Sequence, residues 1–395
     1  MPRFEPFAAL RYSTAGSTDI TALTSAPYDV FDEDQRANYA ATDPHNIVLL
    51  DYPIDADGPS RYELSADRLN DWRKSGHIVA DGSATFSIYR MTFTDEAGTT
   101  RTTVGVIGAL EVVDEGAGGV LPHERTTPKA KTDRLDLTIA THANLSPVWG
   151  LSLTSGLTEA LSEPGEIVAQ CTDEEGVHHI LERVSDPERI TTISRLVSAN
   201  PVLIADGHHR YAISRTFRDQ SRTAGNPPGA ELTMTYVAEL VQEQLSVAAI
   251  HRLYDIDNAA LLSALSSHYD TSDAGRVGPH TISEMETRGS LCLVAPDGTG
   301  TFLTPRADTF VGVREMDSAR LEHALRNTEH SVSYQHGVTE VVNKLVAGVA
   351  ASAILIRPVS LAEIRRTADT GELMPPKSTF FTPKLRTGMV MRDLN

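Results

Sequence analysis

One stretch constrains this chain more than any other: Pro201-Val202-Leu203-Ile204-Ala205-Asp206-Gly207-His208-His209-Arg210-Tyr211-Ala212-Ile213-Ser214-Arg215. The apolar run after the proline predicts a short buried strand. Asp206-Gly207 breaks the run, and from His208 a helical pattern begins. In that pattern Ile213 and Phe217 share one face, while Arg210, Ser214 and Arg218 share another. A strand that turns through glycine into a helix leaves several N–H groups without intrahelical partners. Those donors and the helix dipole favour an anion, commonly a phosphate. Gly207 lets the backbone approach a ligand, and Arg210 can offer a bidentate fork to phosphate or carboxylate. An ordinary turn whose arginine is paired elsewhere in the fold satisfies the same pattern.

Ile204-Ala205-Asp206-Gly207-His208-His209-Arg210-Tyr211 resembles the signature of the bacterial and archaeal family called domain of unknown function 1015. Four more segments resemble it in the family's order: Ala26-Pro27-Tyr28-Asp29-Val30, His45-Asn46-Ile47-Val48-Leu49-Leu50, Leu121-Pro122-His123-Glu124-Arg125-Thr126, and Met374-Pro375-Pro376-Lys377-Ser378-Thr379-Phe380-Phe381-Thr382-Pro383-Lys384. The resemblance runs from residue 4 to the C-terminus. A weaker one links Asp206-Gly207-His208-His209-Arg210 to the ParB/sulfiredoxin superfamily. There a Gly-x-x-Arg-like turn at a helix start holds nucleotide phosphates, and the members include free-serine kinases. It implies a ParB/sulfiredoxin-like core and a nucleotide ligand (ATP, ADP or CTP) with Mg²⁺.

With 395 residues the chain is long enough for two or three domains of about 150 residues. We expect two lobes, residues 1–225 and 226–395, divided near the glycine- and proline-rich stretch 219–230. Mixed strands and helices throughout predict an α+β (mixed α/β) fold. A net charge of −18 excludes broad binding to nucleic acid or anionic membrane but allows a local basic pocket. Cys171 and Cys292 show no metal or redox spacing, which fits a reduced, cytoplasmic protein. Glu5 stands where a secretory signal would be apolar. The nearly apolar run 345–356 is shorter than the ~20 residues that span a bilayer, so it reads as a helix end and a buried strand. The expected partner is a small-molecule substrate, with a homodimer left open.

Along the chain, strands are expected at 47–50, 85–93, 103–113 and 176–181, then at 202–205, 232–240, 245–254 and 353–356. A further hairpin is expected within 291–302 through Pro296-Asp297-Gly298. Helices are expected at 62–75, 133–145, 187–199, from 208, and at 259–268, 318–326, 339–346 and 361–367. Strands 85–93 and 103–113 form a hairpin through Asp95-Glu96-Ala97-Gly98.

Among the remaining segments, His123-Glu124 lacks the second histidine of a metalloprotease helix, because Thr127 stands in its place. On a loop the pair can serve a ligand: Glu124 as general base or magnesium ligand, His123 as a phosphate contact when protonated. Arg125, Lys129, Lys131 and Arg134 add a basic cluster to an acidic chain. Lys377-Ser378-Thr379 has side chains for phosphate and metal without the glycine framework of a P-loop. His178-His179 lies in an expected strand, where neighbours face opposite ways, and reads as structural. No resident metal set, nucleophile elbow or nicotinamide fingerprint stands in the sequence.

The reaction expected is nucleotide-dependent phosphoryl transfer to or from a small hydroxyl compound, with free serine or phosphoserine first by resemblance. Asp206 or Glu124 would orient the acceptor hydroxyl, with His123 and His208 beside them. Gly207, His209, Arg210, Lys377, Ser378 and Thr379 would hold the phosphates. Tyr28-Asp29, His123-Glu124 and Lys377-Ser378-Thr379 are expected to converge on the Gly207 turn. The alternative is a non-catalytic nucleotide-binding switch of ParB-like type.

Overall fold

The computed structural model describes residues 1–14, 16–94, 99–123, 131–225, 228–244 and 246–395. The chain divides into two units, Met1–Leu245 with Pro383–Asn395, and Ser246–Thr382. Both mix helices and strands, as expected of an α+β chain.

The first unit is built on a nine-stranded sheet. Its strands run in the order Val120–Leu121, Val202–Asp206, Val148–Ser152, Leu232–Glu239, Thr100–Glu111, Phe86–Thr94, His178–Val184, Glu166–Thr172, with Phe4–Glu5 also on Thr100–Glu111. Eight consecutive residues of Thr100–Glu111, Thr103 to Leu110, are buried, so both faces of this central strand are covered. It carries two glycines because rings lie directly on it. A Cβ at Gly105 would come within 2.4 Å of the Tyr236 ring, and one at Gly108 within 2.5 Å of Phe4. Phe4 and Phe86 stack there with centroids 5.2 Å apart. Ile193 and Val197 of the Pro187–Val197 helix complete this core with Val202 and Ile204.

The Val202–Asp206 strand runs parallel to Val120–Leu121 and antiparallel to Val148–Ser152. Its register shifts between Ile204 and Asp206, where the chain leaves the sheet. Helix His208–Ala224 follows and ends at Gly225, whose φ of 71° is left-handed. A second sheet, of four strands, takes Ile78–Ala80, Ala9–Tyr12, Met391–Asp393 and Ala143–Asn144 in that order. The chain's last strand is thereby locked into the first unit.

The second unit is a six-stranded antiparallel sheet in the order Tyr269–Arg276, Thr299–Pro305, Leu291–Val294, Ser352–Leu355, Ile250–Tyr254, Val332–His336. Its two faces show the period of two expected of strands. Leu291, Leu293 and Leu303 pack with Leu261 and Leu321, whereas Cys292, Val294 and Phe302 pack with Met285, Val341 and Leu345.

Several expectations are corrected. Residues 47–50 are not a strand; Val48–Asp51 is a helical turn. Asn46 starts it, accepting from the Val48 N–H at 3.0 Å while its amide donates to the Ala22 and Thr24 carbonyls. A short apolar run carries no periodicity to tell these cases apart. Residues 219–224 continue a helix, and Leu232–Glu239 joins the first unit's sheet, so the 225/226 border falls inside that unit. The Ala9–Tyr12 strand and the Glu33–Thr42 helix went unread, although the Asp32/Gln35 capping box of the latter stands in the sequence. The 95–98 turn lies outside the described residues. Among the described residues no helix is long and apolar enough to cross a membrane.

Gly105→Ala drives a methyl group into the Tyr236 ring. It is expected to lower stability by about 1–3 kcal/mol, read from the denaturant midpoint.

Candidate functional site

Asp206 ends its strand, and Gly207 at φ 82° turns the chain into the 17-residue helix. The left-handed turn excludes a side chain twice over. An L-residue is strained at this φ, and a Cβ would stand 2.9 Å from Arg210 Nε. Gly207, at the N-cap position, has no side chain with which to cap the helix.

The Asp206 carboxylate is gripped from two directions. Arg210, one helical turn on, donates through Nη2 at 2.9 Å, and Lys384 Nζ stands 3.5 Å from the other oxygen. Burial alone would push this carboxyl up, but Lys384, then Arg210, outweigh it and hold Asp206 well below the usual range. Arg210 is tied a second time, through Nη1, to the Pro147 carbonyl. Burial would lower its guanidinium; Asp206, then Asp29, Tyr28 and Asp51, overcome that and raise it. The fork that the sequence offered to a ligand is thus engaged inside the fold.

Beside Arg210, Arg134 lies 3.5 Å above the Tyr28 ring and donates through Nη1 to Asp51 at 3.0 Å. Burial raises the Tyr28 phenol, against the pull of Arg134 and Arg210. Arg210, Arg134, Asp51, Ser146, Ser214 and Thr233 line a cavity of about 40 Å³. At ~10–15 Å³ per water that holds about three. Three cations, Arg134, Arg210 and Lys384, thus surround two carboxylates, Asp206 and Asp51. The cavity lining itself sets two guanidiniums, Arg134 and Arg210, against one carboxylate, Asp51, a locally basic spot in an acidic chain.

The parallel pairing of Val120–Leu121 with Val202–Asp206 brings His123 to the start of the helix. His123 Nδ1 donates to the Ile204 carbonyl, and its backbone N–H donates to His208 Nε2 at 3.4 Å. The rings lie 4.6 Å apart. His208 accepts at Nε2, so its proton sits on Nδ1. Burial pushes His123 down to about 4, against the raising influence of the Ile204 bond and Asp206. Burial, then His123, pushes His208 well below the ordinary range. Both imidazoles are neutral at pH 7, which corrects the reading of His123 as a protonated phosphate contact.

The structure brings Asp206, Gly207, His208, Arg210 and His123 together with Tyr28 and Asp29. His209 follows on the first helical turn, half-buried. Glu124, Arg125 and Lys129 lie outside the described residues. Lys377, Ser378 and Thr379 belong to the second unit. There Lys377 is exposed at a left-handed φ of 56°, and buried Ser378 donates to the Pro375 carbonyl at 2.7 Å. Sequence reasoning missed Asp51, and read Arg134 only as part of a basic cluster and Lys384 only as added charge, without assigning either to this site. Lys384 closes the last of the resembling segments, which was its one signal. His178-His179 is structural as read: buried His179 bridges Tyr89, at 2.9 Å, and Asp173, at 3.0 Å.

Residues 4–327 match the family described as Protein of unknown function (DUF1015). A search of curated proteins gives no match. Among solved structures, a conserved hypothetical protein from Pyrococcus furiosus is similar at 11% identity and TM-score 0.37, covering 67% of this chain and 87% of that one. A free serine kinase in complex with AMP is similar at 11% identity and TM-score 0.37, covering 67% and 84%. SbnI with a C-terminal truncation, from Staphylococcus aureus, is similar at 12% identity and TM-score 0.38, covering 71% and 84%. Likeness at this level carries nothing about a site.

Two outcomes follow from the geometry. Gly207→Ala is expected to cost about 1–2 kcal/mol from the left-handed backbone alone, measured by chemical denaturation. The second concerns pH. The unfolded chain protonates His123 and His208 near 6.5, the folded chain only near 4 for His123 and well below the ordinary value for His208. Stability is therefore full above 6.5 and declines as pH falls toward 4, by up to ~1.4 kcal/mol per pH unit per histidine. Melting curves from pH 7 to 4.5 check this, and His123→Asn should flatten the decline.

Proposed function

From a chain that belongs to the DUF1015 family, we propose a nucleotide-dependent phosphotransferase acting on a small hydroxyl compound. The observation that carries this reading is the Asp206 carboxylate. It is held ionised by Arg210 and Lys384, one residue before a left-handed glycine at a helix N-terminus. Phosphoryl transfer asks a protein mainly for position and for positive charge around the moving group. The helix amides and dipole, with Lys384 and Arg210, supply the charge. Asp206 supplies an acceptor that orients the substrate hydroxyl.

In the proposed step the acceptor oxygen bonds to the terminal phosphorus of the nucleotide. The bond from that phosphorus to its bridging oxygen breaks, and the shortened nucleotide leaves with the electron pair. The hydroxyl proton passes by way of Asp206 to solvent. A carboxylate held this far below the usual range is a weak base, so its part is alignment more than proton storage. Glu124 is the rival base.

Free serine is the first acceptor, with phosphoserine for the reverse direction, on the resemblance of residues 206–210 to the serine kinases of the ParB/sulfiredoxin superfamily. The nucleotide is ATP, ADP or CTP. Among the described residues no group of three or more His, Cys, Asp or Glu side chains is placed to hold a metal ion. In this reading Mg²⁺ arrives on the nucleotide as part of the substrate. Two free, buried cysteines support a cytoplasmic setting.

The test incubates the protein with serine, Mg²⁺ and each nucleotide, and separately with phosphoserine and each diphosphate, reading products by mass spectrometry. Asp206→Asn is expected to cut turnover about 10²–10⁴-fold. Lys384→Ala should weaken nucleotide binding by about 1.5–3 kcal/mol. Because Asp206 stays ionised, turnover should not fall between pH 8 and 5 through this group. Nucleotide binding without transfer in either direction would make the pocket a switch instead.

A further inference from the structure

The first unit contains a second cleft, of about 570 Å³, within the ~300–1,000 Å³ of small-ligand sites. Asp19, Thr21, Thr24, Tyr39, Asp43 and Glu174 line it. Arg386, whose side chain is only 3% exposed, reaches its wall. Its two terminal nitrogens donate to both Glu174 oxygens at 2.7 and 3.1 Å, Nη1 also to Tyr39 Oη at 3.4 Å, and Nε to Thr24 Oγ1 at 3.4 Å. All four contacts go to residues that line the cleft. The partners differ in burial: the Glu174 side chain is 61% exposed.

The surroundings are braced from remote parts of the chain. The Arg386 backbone N–H donates to Tyr89 Oη at 3.1 Å, and that hydroxyl donates to His179 Nδ1 at 2.9 Å. His179 therefore carries its proton on Nε2 and donates it to Asp173 at 3.0 Å. Asp173 in turn accepts from the Glu175 and Val177 N–H groups, closing the turn that carries Glu174. On another wall, fully buried Asn46 fixes the Ala22 and Thr24 carbonyls. One relay thus holds both the arginine and the turn that presents its carboxylate, the kind of outer support that organises a ligand site.

We propose that this cleft binds a zwitterion of amino-acid size. Its carboxylate takes the Arg386 fork in exchange for Glu174, and its ammonium faces Asp19 and Asp43. Arg386 is buried and cannot turn elsewhere, whereas exposed Glu174 can withdraw into water. The guanidinium presents to Glu174 the bidentate geometry that a ligand carboxylate needs. Three carboxylates against one guanidinium leave the cleft net negative. A lone anion is opposed by Asp19 and Asp43, and a lone cation leaves Glu174 on Arg386. A ligand with both charges satisfies all four groups. The inference rests on this cleft alone and does not require phosphoryl transfer.

Calorimetry without nucleotide tests it, with glycine, serine and glutamine as zwitterions, putrescine as amine only and lactate as carboxylate only. Saturable binding of at least one zwitterion, tighter than both controls, is expected. Glu174→Gln frees the fork and should strengthen that binding several-fold, whereas a merely structural glutamate would leave it unchanged or weaken it. Asp43→Asn should weaken it, and Arg386→Lys should abolish the bidentate preference with a loss of about tenfold or more. If Arg386→Lys fails to fold by circular dichroism, Glu174→Gln and Asp43→Asn carry the test. Absence of saturable zwitterion binding at millimolar concentration in both wild type and Glu174→Gln would overturn the proposal. So would putrescine binding as tightly as the amino acids.

Discussion

The carboxylate of Asp206 is where distant parts of the first unit are tied together. It ends the strand next to the sheet edge, pairs with Arg210 on the following helix, and meets Lys384 on the segment that returns from the second unit's far end in sequence. Arg210 extends the tie to the Pro147 carbonyl, and Arg134 carries it on to Asp51 and Tyr28. Removing one partner of such a pair leaves the other charge desolvated, which costs more than the pair contributes when intact. Thus the site and the frame share the same residues. The Pro383–Asn395 segment belongs to the first unit for a physical reason: Lys384 meets Asp206, and Met391–Asp393 pairs in the four-stranded sheet.

Much of the fold was legible because burial imposes period on the sequence. The helix Arg61–Lys74 and the strands Phe86–Thr94, Thr100–Glu111 and Val202–Asp206 all stand within a few residues of where pattern puts them. The unit boundary was not legible. A run of glycine and proline marks a break in regular structure, and here the break falls between a helix that ends at Ala224 and a strand, Leu232–Glu239, of the same unit. A boundary is set by which segments pack together, and the first unit is discontinuous in sequence. No local composition can announce that the chain will come back at Pro383.

The site was half legible for a related reason. Asp206, Gly207, His208 and Arg210 lie on one turn, so their proximity is local and could be read directly. Lys384, Asp51 and Arg134 reach it through pairings 83 to nearly 180 residues apart in sequence, and their side chains look like ordinary surface charge in the sequence. Protonation was the harder part. Nothing in Pro122-His123-Glu124 states that His123 will lie against Ile204 and His208. Only that burial makes the ring neutral and converts a supposed anion contact into a support for the helix start.

That neutrality sharpens what the turn can do. With His123 and His208 uncharged, the positive potential at the helix start comes from the backbone amides, Lys384 and Arg210, and the two side chains already hold Asp206. In the proposed reaction an incoming phosphate would share these cations with a fixed carboxylate instead of entering a vacant basic pocket. In that reading the anion would bind less tightly, but the transferred group and its acceptor hydroxyl would be brought to the same few atoms. A loose, largely dissociative phosphoryl transfer makes little demand on base strength and a large one on alignment. A carboxylate whose pKa has been driven down by two cations is suited to that demand, because it stays ionised and is gripped from two directions.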